Sequence, residues 1–142
     1  MKKKLLFFIA CGLASHTVMA QNLKPKDVPS VVKTAFTSKY PEATKVSWEK
    51  EKGNFEANWG GKSGEDNSVA YTPAGVFIEI VKAIKISDLP KNVSPYVTAH
   101  YNGAKIKEAG KVTDAQGKTF YEAEIKSGDL IFDESGSFVK KD

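Results

Sequence analysis

Few residues in this sequence combine the type and spacing that chemistry requires. Gly61-Lys62-Ser63 has the ending of a phosphate-binding loop, whose backbone amides cradle an anion. That loop needs a glycine five residues before Gly61, and Glu56 stands there, so the stretch reads as a hairpin loop. His100 is the one histidine beyond the first twenty residues. A metal centre would need more nitrogen or sulfur ligands, and catalysis a nucleophile and an orienting partner. His100 therefore reads as a helix C-terminal residue, where an imidazole suits the negative end of the dipole. Glu65-Asp66 and Asp133-Glu134 could offer oxygens to calcium, but the spacing of a calcium-binding loop is absent. Trp48 and Trp59 could stack on a sugar ring; their phase with Val46, Phe55 and Ala57 assigns them to the core instead. No catalytic set, metal site or cofactor site emerges, and the expectation is a protein that is not an enzyme.

What remains is a charged surface. Alternation along the strands puts Val46, Trp48, Phe55, Ala57, Trp59, Ile106, Tyr121, Ala123 and Ile125 on one side of a sheet, to be covered by helices. The other side presents Lys45, Glu49, Glu51, Glu56, Asn58, Lys105, Lys107, Glu122 and Glu124. An antiparallel sheet can leave such a side wet. Lys45, Glu49, Glu51, Glu56, Lys105, Lys107, Glu122 and Glu124 are thus the expected binding residues, since mixed charges set register and specificity with a partner.

The elements that must position them follow from the hydrophobic period. Val28, Val31, Val32, Ala35, Phe36 and Tyr40 fall on one helical stripe, opened near Pro29 and stopped by Pro41. Strands are expected over Lys45–Glu49, Phe55–Trp59, Ser68–Tyr71 and Val76–Val81, with Gly53-Asn54 as a turn. A second stripe of Leu89, Val93, Tyr96, Val97 and Tyr101 is interrupted by Pro95, which predicts a break and a fresh helix start there, capped by Ser94. Four more strands are expected over Ala104–Thr113, Lys118–Ile125, Asp129–Asp133 and Ser137–Lys141.

Landmarks recur 61 residues apart: Asp27-Val28-Pro29 with Asp88-Leu89-Pro90, Tyr40 with Tyr101, and Tyr71, Gly75 and Phe77 with Phe132, Gly136 and Phe138. This predicts an α+β fold: a tandem repeat of one helix plus a four-stranded antiparallel meander, both copies sharing one sheet with the helices on one face. The expected division is a signal peptide over 1–20, a mobile leader over 21–26, repeat one over 27–81, a linker over 82–87 and repeat two over 88–142.

The N-terminus carries the address. Lys2-Lys3-Lys4, the apolar Leu5 to Ala14 and Val18-Met19-Ala20 have the three parts of a secretory signal cleaved after Ala20, and the apolar run is too short to span a bilayer. Cys11 loosely matches a lipoprotein site, but the apolar stretch continues past it, which favours ordinary cleavage and a periplasmic or secreted protein. The net charge of +4 loses three lysines with that segment, leaving a mature chain near neutrality. The sequence contains no arginine, so bidentate clamps on phosphate or guanine are absent and nucleic acid is excluded as an expected partner. No transmembrane segment is expected in the mature chain.

Val28-Pro29 and Leu89-Pro90 at the helix starts, Tyr40-Pro41-Glu42-Ala43, Val46-Ser47-Trp48-Glu49, and Asp133-Glu134-Ser135-Gly136 before Phe138 resemble the PepSY-like family of exported bacterial proteins, also described as resembling the β-lactamase inhibitory protein. The resemblance spans essentially the whole mature chain. It implies a periplasmic helix-and-sheet protein with no catalytic residues. The expected function is a non-enzymatic exported binding module that engages a protein, such as a hydrolase or peptidase it restrains, through the open polar face. The alternative is a cell-envelope module for a small ligand, a glycan or a peptide.

Overall fold

A computed structural model describes residues 21–142 of the chain. The expected signal peptide and Cys11 lie outside the described residues. Among the described residues, nine strands form one antiparallel sheet whose spatial order follows the chain: β1 (Gln21–Leu23), β2 (Ser47–Glu51), β3 (Asn54–Trp59), β4 (Asn67–Tyr71), β5 (Phe77–Ile84), β6 (Glu108–Asp114), β7 (Thr119–Ile125), β8 (Gly128–Asp133) and β9 (Phe138–Lys141). The α-helices among the described residues are α1 (Ser30–Lys39) and α2 (Val93–His100).

This overturns the expected α+β tandem of one helix plus a four-stranded meander. The fold is mostly β, because the helices are only 10 and 8 residues long while the regular structure is otherwise dominated by the strands of the sheet. The start of the expected leader and the start of the expected linker belong to strands of the sheet. Gln21–Leu23 pairs with β2, placing Asn22 opposite Glu49. Strand β5 runs on to Ile84, through positions where a linker between copies was expected.

The chain divides into two compact units after Ile80, each with its own core. In unit 1, α1 ends as Pro41 dictates, with the Tyr40 amide donating to the Phe36 carbonyl at 2.9 Å. Val32 and Phe36 pack on Trp48, Phe55, Ala57, Trp59, Val69 and Tyr71. Phe36 meets both tryptophans edge-on, with centroids 5.3 and 5.1 Å away, an arrangement that aromatic quadrupoles favour. Burying such a ring contributes about 2–3 kcal/mol.

In unit 2, Val93 and Val97 of α2 pack on Ala109, Ala123, Ile125, Leu130 and Phe132. The expected break at Pro95 does not occur. The helix begins at Val93, so Pro95 falls in its first turn, where no amide is needed for an intrahelical bond. Asn92 just ahead of it donates from Nδ2 to the Gly136 carbonyl at 2.7 Å, tying the start of α2 to the β8–β9 turn. That turn is closed by Asp133, whose Oδ1 accepts from the amides of Ser135 and Ser137, both at 2.9 Å. The Ser135 hydroxyl donates to the same oxygen at 2.6 Å and, ahead of the two amides, holds the Asp133 carboxyl below its ordinary range. Asp114 closes the β6–β7 turn in the same way, accepting from Gln116 and Lys118.

Candidate functional site

The β2–β3 hairpin determines which carboxylates meet in unit 1. Its two turn residues, Lys52 and Gly53, both have positive φ, 48° and 85°, as a tight hairpin twisted like its strands demands. The turn lies one residue ahead of the expected Gly53-Asn54. This sets Glu51 opposite Asn54, Glu49 opposite Glu56 and Ser47 opposite Asn58. On the other side of β3, Asn58 faces Ser68 and Glu56 faces Ala70. Since Trp48, Phe55, Ala57, Trp59, Val69 and Tyr71 all point to α1, alternation turns Glu49, Glu51, Glu56, Asn58 and Ser68 to the opposite side.

That side is not the wet surface expected from the sequence. Glu51 is 2% exposed, Glu56 1%, and Asn58 and Ser68 are buried with them. The Ser68 hydroxyl donates to Oε1 of Glu56, while Oε2 of Glu56 and Oδ1 of Asn58 have no hydrogen-bond partner. Burial, above all, pushes the Glu56 carboxyl up to about 8. Ser68 and Asn58 pull it down, and the neighbouring Glu51 and Glu49 push it further up. Near neutral pH Glu56 is therefore an uncharged acid. It can donate a proton or a hydrogen bond, but it does not offer the fixed negative charge that its residue type suggests.

Unit 2 turns a different set away from its helix. Ala109, Ala123, Ile125, Leu130 and Phe132 face α2, so Gly110, Val112, Phe120, Glu122, Asp129 and Ile131 occupy the far side. Register places Gly110 and Ile131 on either side of Glu122, and Val112 beside Phe120. Val112, Phe120, Ile131, Glu122 and Asp129 are all buried, Glu122 at 6% exposure. Gly110 leaves room for Val81, whose Cγ1 would lie 2.8 Å from a Cβ added there.

The eight expected binding residues thus separate into three groups. Glu51, Glu56 and Glu122 are buried; Glu49 and Glu124 are half-buried; Lys45, Lys105 and Lys107 are exposed. The three lysines lie outside the strands, since β2 starts at Ser47 and β6 at Glu108. Lys45 takes a positive φ of 54°, a conformation that breaks strand alternation. Within unit 1, β2 and β3 bring Glu49, Glu51 and Glu56 together. Sequence reasoning missed Ser68 as their partner, although its place opposite Asn58 follows once β3 and β4 are paired. It also missed the buried carboxylates Glu79 and Asp129, the latter at the start of β8.

The other candidates are accounted for elsewhere. Trp48 and Trp59 are buried in the core of unit 1. His100 is exposed at the end of α2 and stacks on Tyr96 with centroids 4.1 Å apart; Tyr96 in turn stacks on Phe138. Among the described residues, no group of three or more His, Cys, Asp or Glu side chains is placed to hold a metal ion. No helix among them is long and apolar enough to cross a membrane.

The model of the beta-lactamase-inhibitor-like, PepSY-like family matches residues 17–79 and again 58–140. Among curated proteins there is no match. Of the solved structures, a Bacteroides eggerthii protein described as periplasmic is 17% identical with a TM-score of 0.66, covering 81% of this chain and 88% of that one. A DUF2874 family protein from Bacteroides ovatus is 17% identical with a TM-score of 0.64, covering 82% and 88%. A BLIP-like protein from Bacteroides fragilis is 20% identical with a TM-score of 0.59, covering 80% and 85%. At these identities the likeness is one of fold.

Proposed function

The chain belongs to the PepSY-like, beta-lactamase-inhibitor-like family, and from that premise we propose that it is an exported, non-enzymatic module that docks a protein. The observation that carries this reading is that, beside the buried carboxylates on the strand sides turned away from the helices, others stay partly exposed, Glu49 in unit 1 and Glu124 in unit 2. Glu49 and Glu124 are the half-buried members that a partner's side chains can reach, and Lys45, Lys105 and Lys107 add exposed positive charge. Mixed charges of this kind select a partner and its register more than they add affinity. Restraint of a hydrolase or peptidase is the activity suggested by the family's description and by the BLIP-like relative. Export to the periplasm is supported by the composition of residues 1–20 and by the description of the eggerthii protein. The small-ligand alternative loses its chief support, because the tryptophans it would use are in the core.

The test is crosslinking of the protein in its own envelope fraction. The expected complex weakens as salt screens the exposed charges. It is lost in Glu49→Lys or Glu124→Lys variants whose circular dichroism matches the parent. A complex indifferent to salt and to both reversals would remove this face from the account.

A further inference from the structure

We propose that Glu56 is a proton-operated lock on the β2–β4 layer of unit 1: uncharged, it completes a buried polar row, and on losing its proton it loosens the layer. The inference concerns how the fold responds to protons and does not depend on the docking reading.

Glu56 sits in the middle of β3, with a strand on either side, and is almost wholly shielded from water. From β2 it faces Glu49 directly and Glu51 diagonally. From β4 it faces Ala70 directly and Ser68 diagonally, and Asn58 follows it on its own strand. Beyond these lie Asn22, paired with Glu49 from β1, and the buried Glu79 on β5. No lysine in β2, β3 or β4 alternates onto this side; Lys50, the only one in those strands, points the other way and lies 5.5 Å from the Phe55 ring centroid. An ionised Glu56 would therefore stand beside two other acids, with the Ser68 hydroxyl and the Asn58 amide as its polar support. A buried charge without a counter-charge is costly, so the row must either admit water or part.

The carboxyl is raised from an ordinary 4.5 to about 8 in the folded chain. Its contribution to stability is fully present below the ordinary carboxylate range and is lost as pH rises through about 8.

Two measurements on the purified protein decide the matter. Carbon-13 carboxyl titration should give Glu56 a midpoint near 8. Amide protection factors, corrected for the intrinsic rise of exchange with pH, should fall about tenfold per pH unit in β2–β4 as pH climbs toward that midpoint and level off above it, with β6–β8 unchanged. Glu56→Gln keeps an acceptor for Ser68 without a titrating proton, and should make protection in β2–β4 independent of pH. A midpoint in the ordinary carboxylate range overturns the lock. So does a normal loss of protection in Glu56→Gln, or a midpoint near 8 with protection unchanged. Should the variant fail to fold, the titration and exchange of the parent protein alone decide.

Discussion

The two units bury the strand sides turned away from their helices by opposite chemical means. Unit 1 buries Glu51, Glu56, Asn58 and Ser68; unit 2 buries Val112, Phe120 and Ile131 around Glu122 and Asp129. An apolar side gains from leaving water in proportion to its area. A polar side gains only when its groups find partners or shed their charge; Glu56 finds Ser68 for Oε1 and sheds its charge through a raised pKa. Alternation decides which side a residue takes, while the chemistry of burial decides in what state it lives there. Unit 1 is consequently the half whose stability answers to pH at Glu56, and unit 2 the half whose far side is held by packing.

The largest effect expected from this contrast is in unit 2. Truncating Phe120, which is 2% exposed beside Val112, removes a ring that the surrounding strands cannot collapse to replace. Phe120→Ala should cost about 3–5 kcal/mol in urea-induced unfolding, with little dependence on pH between 5 and 9. A cost below about 1 kcal/mol would mean that this side is not held by packing, and the contrast would fail.

Next in size is Ser68→Ala in unit 1. Its hydroxyl is the group that most lowers the Glu56 carboxyl, so its loss removes about 1 kcal/mol of hydrogen bonding and drives that carboxyl higher still. Unfolding followed at several pH values should show the loss of stability moving to higher pH than in the parent. An unmoved pH profile would detach Ser68 from the titration.

Much of the helix-facing half was legible in the sequence. Pro29 and Pro41 bracket α1, and the phase shared by Trp48, Phe55, Ala57 and Trp59 places them together in the core of unit 1. The misreadings have separate physical causes. Pro95 reads as a helix breaker, yet the first turn of a helix has no use for its missing amide, so α2 starts ahead of it. Lys45, Lys105 and Lys107 look like strand residues because they alternate with apolar neighbours, but the backbone becomes regular only at Ser47 and Glu108. Gln21–Leu23 has no hydrophobic pattern to announce a strand; it is one because β2 offers an edge to pair with. The expected α+β repeat gave each helix the weight of a layer, whereas the nine-stranded sheet dominates. Among the candidate site residues, the grouping of Glu49, Glu51 and Glu56 was visible from the period of two. Their burial was not, because alternation names a side without saying whether water reaches it.

The smallest expected effect sharpens the same distinction on the helix-facing side of unit 1. Tyr71 is 2% exposed among apolar neighbours, and its hydroxyl has no hydrogen-bond partner. Burial pushes the phenol up to about 12, with Tyr40 adding to the shift, so it stays protonated throughout the range in which Glu56 titrates. A polar atom that has left water and gained nothing in return is a net cost, and deleting it costs the core no contact between carbons. Tyr71→Phe should therefore leave thermal stability unchanged or raise it, by no more than about 1 kcal/mol, at every pH from 5 to 9. A clear loss would show that the hydroxyl is satisfied after all and that both sides of the unit 1 sheet carry polar load. The expected silence would confine that load to the side of Glu56.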